Sequence, residues 1–241
     1  MSVPVAVLAG GLATRLRPVT REIPKSLIEV AGKPFIIHQI ELLRRNGIDH
    51  IVLCLGHLGV MIQATLGDGH LFDVHIDYVF DGPSLLGTGG ALKKALPWLG
   101  TVFFVLYGDS YLDVDYETVR DAFERSGKLG LMTVYHNAGQ WDRSNVLFSE
   151  GRIIRYDKRQ PFPEMQHIDY GLGVLRKEAF AEWPDEKNFD LSQVYQQLIA
   201  REQLAGFEVA HRFYEIGSCE GLEETRSHLL AILHNGRDVA R

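Results

Sequence analysis

Cysteine is scarce in the 241 residues. There are two, Cys54 inside the apolar run HIVLCLG and Cys219 in EIGSCEG. So placed, they make no disulfide framework, and they lack the ligand spacing of a zinc site. A reducing, cytoplasmic compartment is the natural reading. No apolar run reaches the roughly 18 residues a membrane helix needs. The N-terminus lacks the basic region of a secretion signal, and its apolar run ends at once in Gly10-Gly11. Basic charge is not in excess. Lys and Arg number 25 against 31 Asp and Glu, a formal net charge of −6, so a nucleic-acid footprint is not expected. Internal repeats, linkers and low-complexity tracts are missing, and no hexapeptide repeat adds a β-helix. Tryptophan is rare too: Trp98, Trp141 and Trp183 lack periodic spacing and read as packing residues.

What remains is 46% hydrophobic, enough for one sizeable core. Apolar strands are predicted at 3–8, 50–55, 74–80 and 102–107. Helices alternate with them, over 33–47, through GVMIQATL and from TGGALKKALPWL. Ile36, Ile40 and Leu43 share one face of the first helix, and Gly47 stops it. This alternation predicts an α/β fold, a mostly parallel, Rossmann-like sheet covered by helices on both faces. The second half is less regular. Helices are expected over 115–127, 190–202 and 221–236, and strands at LGLMTVYH, NVLFSE, RIIRYDK and IDYGLGVLR, with a hairpin turn at EGRI. One domain spanning 1–241 is expected.

Ligands of an open parallel sheet gather at the carboxyl ends of its strands. The loops found there are AGGLATRLRP after the first strand, LLGTGGA after the third and GDS after the fourth. Gly10 and Gly11 leave backbone N–H groups open to an anion, and Arg15 adds a fork-shaped charge. Lys25 in IPKSL is a second cation. The plainer reading is a glycine turn with solvated arginines. The loop is no P-loop, since no G-K-[ST] ends it, and the dinucleotide fingerprint G-x-G-x-x-G is absent. Asp109, on a glycine-flanked turn, suits a hard divalent ion such as Mg²⁺. Its alternative is a helix cap, for which Ser110 and Asp115 are better placed. QWDRSN reads as a polar loop, with Arg143 and Asn145 as candidates to reach a sugar. His57 reads as structural or solvent-exposed.

In order and spacing, LAGGLATRLRP, PKSL, GKPFI, LGTGGA and GD resemble the sugar-1-phosphate nucleotidyltransferases, and GRIIRYDK, IDYGLGVL and FYEIGS continue the match. The resemblance implies the fold type of nucleotide-diphospho-sugar transferases (GT-A), with a nucleotide half at about 1–110 and a sugar-phosphate half at about 111–241. It implies a nucleoside triphosphate against Leu8, Ala9, Gly10, Gly11 and Thr14, with Arg15 on the β- and γ-phosphates. Lys25 would bridge the two substrates, and Arg15 and Lys25 would be catalytic. Gly87 and Thr88, with Asp81 upstream, would line the base side in the manner of mannose- or heptose-1-phosphate guanylyltransferases, which favours GTP. Lys158 would grip the sugar phosphate. Asn145, Asp157, Asp169 and Gly171 would read the sugar, and Asp109 and Glu215 would hold Mg²⁺.

Four positions depart from that pattern. Ala13 replaces a glycine, Glu215 an Asp, Asp157 a Glu and Asp169 an Asn. The last two bear on which sugar is read. The alternatives are a uridylyltransferase acting on a hexose or amino-sugar 1-phosphate, and a non-catalytic regulatory subunit that binds an NDP-sugar. Such a subunit is expected to have lost the phosphate cations or the metal ligand, and both are present.

Overall fold

The structure, a computed structural model, describes residues 3–11, 16 and 22–238. The expectations for Ala13, Thr14 and Arg15 lie outside the described residues.

The first half alternates as expected. β1 (Val5–Leu8) is followed by a two-residue ladder of β2 (Glu29–Val30) with β3 (Lys33–Pro34), then α1 (Phe35–Arg45). β4 (His50–Leu55), α2 (Gly59–Leu66), β5 (His75–Phe80), α3 (Gly87–Leu99) and β6 (Val102–Tyr107) follow. α1 is shorter than expected because residues 33–34 pair with β2 and Pro34 precedes the first turn. β5, β4, β1 and β6 lie side by side and all parallel.

The sheet is buried on both faces, and side-chain alternation sorts them. Val5 and Val7, Ile51 and Leu53, and Phe104 and Leu106 pack beneath α1, α2 and α4 (Tyr116–Ser126). Ala6, Val52, Cys54, Phe103 and Val105 pack beneath α3 and α5 (Leu191–Ala200). Asp115 caps α4, accepting from the N–H groups of Glu117 and Thr118.

β7 (Ser110–Tyr111) precedes α4, and β8 (Gly130–His136), β9 (Val146–Ser149), β10 (Arg152–Tyr156), β11 (His167–Arg176) and β12 (Leu204–Val209) extend the same sheet. The nine-stranded order is β5-β4-β1-β6-β11-β8-β12-β10-β9. The parallel expectation gives way at β11, which runs antiparallel to both β6 and β8. Strands linked by crossover helices stay parallel, whereas a tight hairpin reverses direction. β9 and β10 are joined by Glu150-Gly151, both left-handed at φ 50° and 75°, the turn that matches strand twist. A last short strand, β13 (Tyr214–Glu215), pairs with β7, and α6 (Cys219–Asp238) docks on α1 through Phe35, Leu42, Tyr111, Ile216 and Leu229.

Candidate active site

The carboxyl ends of β1 and β6 border a cleft of about 1150 Å³, closed on the far side by the start of β11 and by β13. β1 ends in a loop tied to its neighbours. Ala9 N–H donates to Cys54 O and Gly108 N–H to Leu8 O, both at 2.9 Å. A Cβ on Gly10 would lie 2.9 Å from Gly56 N, too close for any side chain, whereas a Cβ on Gly11 would have nothing within 4 Å among the described residues, and Gly11 opens onto the cleft.

Asp109 sits on the turn after β6. Gln39, buried in α1, donates to the carbonyls on either side of it, Tyr107 O at 3.0 Å and Ser110 O at 2.7 Å. Ile216 N–H donates to Asp109 O at 2.9 Å, and the β7–β13 ladder sets Glu215 opposite Ser110. Two carboxylates thus reach the cleft from adjoining strands. Lys25 Nζ lies 2.7 Å from Asp109 Oδ2. The Glu215 carboxylate accepts from Gly217 N–H and, at 2.9 Å, from Ser218 Oγ–H. Asp109, which already neutralises a cation, and Glu215 together offer hard oxygen donors, which fit a small divalent ion.

The other end of the cleft is built on β11. Asp169 is nearly buried, its side chain 7% exposed. It accepts from Tyr156 Oη–H at 2.7 Å and from Gly171 N–H at 3.1 Å, and its own N–H donates to Asn145 Oδ1 at 2.9 Å. Gly171 takes φ +98°, where a side chain would be strained. Lys158 Nζ lies 3.8 Å from Asp169 Oδ2, donates to Tyr107 Oη at 3.1 Å and sits 5.0 Å above the Tyr107 ring. Desolvation pulls the Lys158 pKa down, but Tyr107 and Asp169 outweigh it, and the net shift is upward. Burial pushes the Tyr107 phenol up to about 12, against the pull of Lys158. Lys158 is therefore a fixed cation on a neutral phenol.

The cleft gathers Leu8, Ala9, Gly10, Gly11, Lys25, Gly87, Thr88, Asp109, Asn145, Lys158, Asp169, Gly171 and Glu215. Two of these are also tied inward. A Cβ on Gly87 would lie 2.6 Å from Phe189 O, and Thr88 Oγ1 accepts from Leu191 N–H at 2.8 Å. Asp81 and Asp157 do not line it. Asp81 accepts from Leu86 N–H at 3.2 Å, and burial raises its pKa. Asp157 accepts from Arg159 and Gln160 N–H, both at 2.9 Å, and these bonds lower its pKa. His57 is exposed and away from the cleft lining.

Sequence reasoning passed over three residues of the site. Gln39 is hidden in a helix pattern. Trp141, read as packing, is 43% exposed and lines the cleft. Arg212 lies 3.4 Å over the Trp141 ring and 4.6 Å over Tyr214, and pairs with Glu224 at 2.5 Å. Its signal was its place just before FYEIGS.

The family model for Nucleotidyl transferase matches residues 5–141. The UTP–glucose-1-phosphate uridylyltransferase of Synechocystis sp. is 30% identical over 201 residues, covering 77% of this chain and 52% of that protein. The chain thus spans about half the length of this relative. The D-glycero-alpha-D-manno-heptose 1-phosphate guanylyltransferase of Aneurinibacillus thermoaerophilus is 27% identical over 228 residues, covering 92% of this chain and 96% of that one. In fold, the chain is similar to HddC from Yersinia pseudotuberculosis, solved with GMP-PN, at a TM-score of 0.76 and 24% identity over 95% of this chain and all of that one. The chain belongs to the nucleotidyl transferase family, to which relatives named as sugar-1-phosphate guanylyl- and uridylyltransferases also lead.

Proposed function

We propose that the chain transfers a nucleotidyl group from a nucleoside triphosphate to a sugar 1-phosphate, giving an NDP-sugar and pyrophosphate. The observation that carries this reading is one cleft holding an open glycine loop, two adjoining carboxylates and two separated lysines. An oxygen of the sugar phosphate attacks the α-phosphorus in line. The bond from that phosphorus to the bridging oxygen breaks, and its electron pair leaves with pyrophosphate. The attacking oxygen is already ionised, so alignment and positive charge matter more than a general base.

The charge supply is informative. Lys25 is paired with Asp109, Lys158 with Asp169 and Arg212 with Glu224. With each of these cations neutralised by a carboxylate, two polyanionic substrates call for further positive charge. Asp109 and Glu215 would hold Mg²⁺, which when bound supplies that charge and polarises phosphate oxygens. Lys25 and Arg15 would bind the triphosphate, and Lys158, fixed by Tyr107, the sugar phosphate. Gly11 and Ala9 would lie against the nucleoside. Asn145, Asp169 and Gly171 shape the sugar end, Asp169 mainly by orienting Lys158. Residues 1–110 and 111–241 would act as the nucleotide and sugar-phosphate halves of one domain.

GTP is the favoured nucleotide, supported by the heptose relative that matches nearly end to end and by the GMP-PN bound to HddC. UTP is the second reading, supported by the Synechocystis relative. Two free cysteines support a cytoplasmic setting, and among the described residues no helix is long and apolar enough to cross a membrane. Pyrophosphate release, measured for each NTP against a panel of sugar 1-phosphates, tests the proposal. Turnover with one pair is expected, GTP giving the highest kcat/KM. Binding of NDP-sugars without turnover for any pair would point to the regulatory subunit instead.

A further inference from the structure

The opposite end of the sheet carries a side-chain group that nucleotidyl transfer does not use. His50 opens β4 and His75 opens β5, and the two are register partners across this parallel pair. Asp77 lies two residues along β5, so its side chain shares their face. His50 Nε2 is 2.8 Å and His75 Nε2 3.4 Å from the same atom, Asp77 Oδ2. The three ligand atoms all lie within 4.8 Å of one another, the one such group of His, Cys, Asp and Glu among the described residues.

We infer that His50, His75 and Asp77 form a binding site for a divalent transition-metal ion of the Zn²⁺ class, separate from the cleft. A simple His–Asp hydrogen bond needs one imidazole. Here two rings aim the same nitrogen at one carboxylate oxygen, and a cation among them satisfies all three ligands together. Zinc with bonds of about 2.0–2.1 Å holds tetrahedral neighbours about 3.3 Å apart, and the two separations to Asp77 lie on either side of that. Imidazole nitrogen favours Zn²⁺, Ni²⁺ or Cu²⁺, whereas Mg²⁺ prefers oxygen alone. The side chains are 30%, 65% and 27% exposed for His50, His75 and Asp77. An ion therefore has an entry path, and water has room to complete its shell. β5 is an edge strand of the sheet, so the ion would clasp that edge to β4. The site is at the amino end of β4, while Cys54 near the carboxyl end of that strand lines the cleft. Along the six residues of β4 this is a separation of roughly 17 Å at about 3.3 Å per residue, too far to touch the phosphates.

The test is a calorimetric Zn²⁺ titration of the chelator-treated full chain in excess Mg²⁺, with thermal unfolding followed in the presence and absence of Zn²⁺. One Zn²⁺ per chain and a raised Tm are expected. His75→Ala should bind about 100-fold more weakly or worse, with no Zn²⁺-dependent rise in Tm. No binding by the wild type, or equal binding by His75→Ala, overturns the site. If the variant does not fold, histidine-ring NMR of the wild type decides. The ring signals of His50 and His75 must shift with Zn²⁺, and unmoved signals overturn the site. None of these readouts uses nucleotidyl transfer, so the result stands apart from the proposed activity.

Discussion

Lys25 Nζ lies 2.7 Å from Asp109 Oδ2, so the lysine proposed for the phosphates rests on the carboxylate proposed for the metal. The two cations compete for one oxygen. Lys25→Ala should therefore lower kcat/KM by roughly 10² through the lost phosphate contact, while the apparent Mg²⁺ affinity rises because Asp109 is freed. A Mg²⁺ titration of initial rate reads both quantities. Weaker Mg²⁺ affinity in the variant would mean that Lys25 supports the metal site instead of competing with it.

Asp169 and Lys158 form the second such couple, 3.8 Å apart. Asp169→Asn keeps the shape but removes the charge that holds Lys158 beside Tyr107. KM for the sugar phosphate should rise by roughly 10- to 100-fold, in line with the roughly 1.5–3 kcal/mol of a charged contact, with KM for the nucleotide little changed. Equal rises in both would contradict two separate half-sites.

The neighbouring glycines of the first loop should behave oppositely. Gly10→Ala drives a methyl to within 2.9 Å of Gly56 N, forcing the β1 and β4 loops apart at a cost of about 1–3 kcal/mol. Gly11→Ala meets nothing within 4 Å among the described residues and should leave Tm unchanged. If the nucleoside lies against this backbone, Gly11→Ala raises KM for the nucleotide alone. An unchanged KM would place the nucleoside elsewhere.

These pairs also show what a sequence carries. β1, α1, β4, α2, β5, α3 and β6 were legible because each has its own period and stop signal, and the loops after β1 and β6 followed from the parallel order. The insertion of β11 between β6 and β8 was not legible, because long-range pairing leaves no local mark. β12 and β7 were missed for the same reason. FYEIGS reads as strand-like, but its pairing with β7, which brings Glu215 beside the Asp109 turn, was not legible. Asp109 and Lys25 were singled out by residue type and place, and Lys158 by the family resemblance that GRIIRYDK carries. Gln39 was not, since a buried amide in an amphipathic helix looks like any polar position until its two carbonyl partners are seen.

Burial lowers the pKa of His38, His167 and His228 from the usual 6.5. The unfolded chain then takes up protons near 6.5 that the folded chain accepts only at lower pH. The stability gained from neutral rings is full above 6.5 and is lost as pH falls toward the depressed folded values. Tm should drop between about pH 7 and pH 5. His228 stacks on Tyr214 at 3.7 Å, and among the described residues its Nε2 has no hydrogen-bond partner, so His228→Phe should keep the packing and flatten the slope. A slope identical to wild type would show that His228 does not contribute.

Glu215 carries the sharpest test of the metal assignment, because its carboxylate has two possible employments. It accepts from Gly217 N–H and Ser218 Oγ–H at the start of α6, which is a bracing role needing no ion. It also lines the cleft one ladder step from the Asp109 turn, where spare lone pairs are free to face a cation. Two variants separate these roles. Ser218→Ala removes one brace and keeps the carboxylate, so it should cost about 1 kcal/mol of stability and leave the Mg²⁺ titration of initial rate unchanged. Glu215→Gln removes the charge and keeps the length. It should raise the Mg²⁺ requirement and slow turnover beyond what any loss of Tm explains. Mg²⁺ holds its ligands close to octahedral at about 2.1 Å, so Glu215→Asp, with a shorter arm from the same backbone, should also lose activity. If Glu215→Gln titrates with Mg²⁺ as the wild type does and only its Tm falls, the carboxylate is a brace for α6 and Asp109 is left as the protein's ligand at that position.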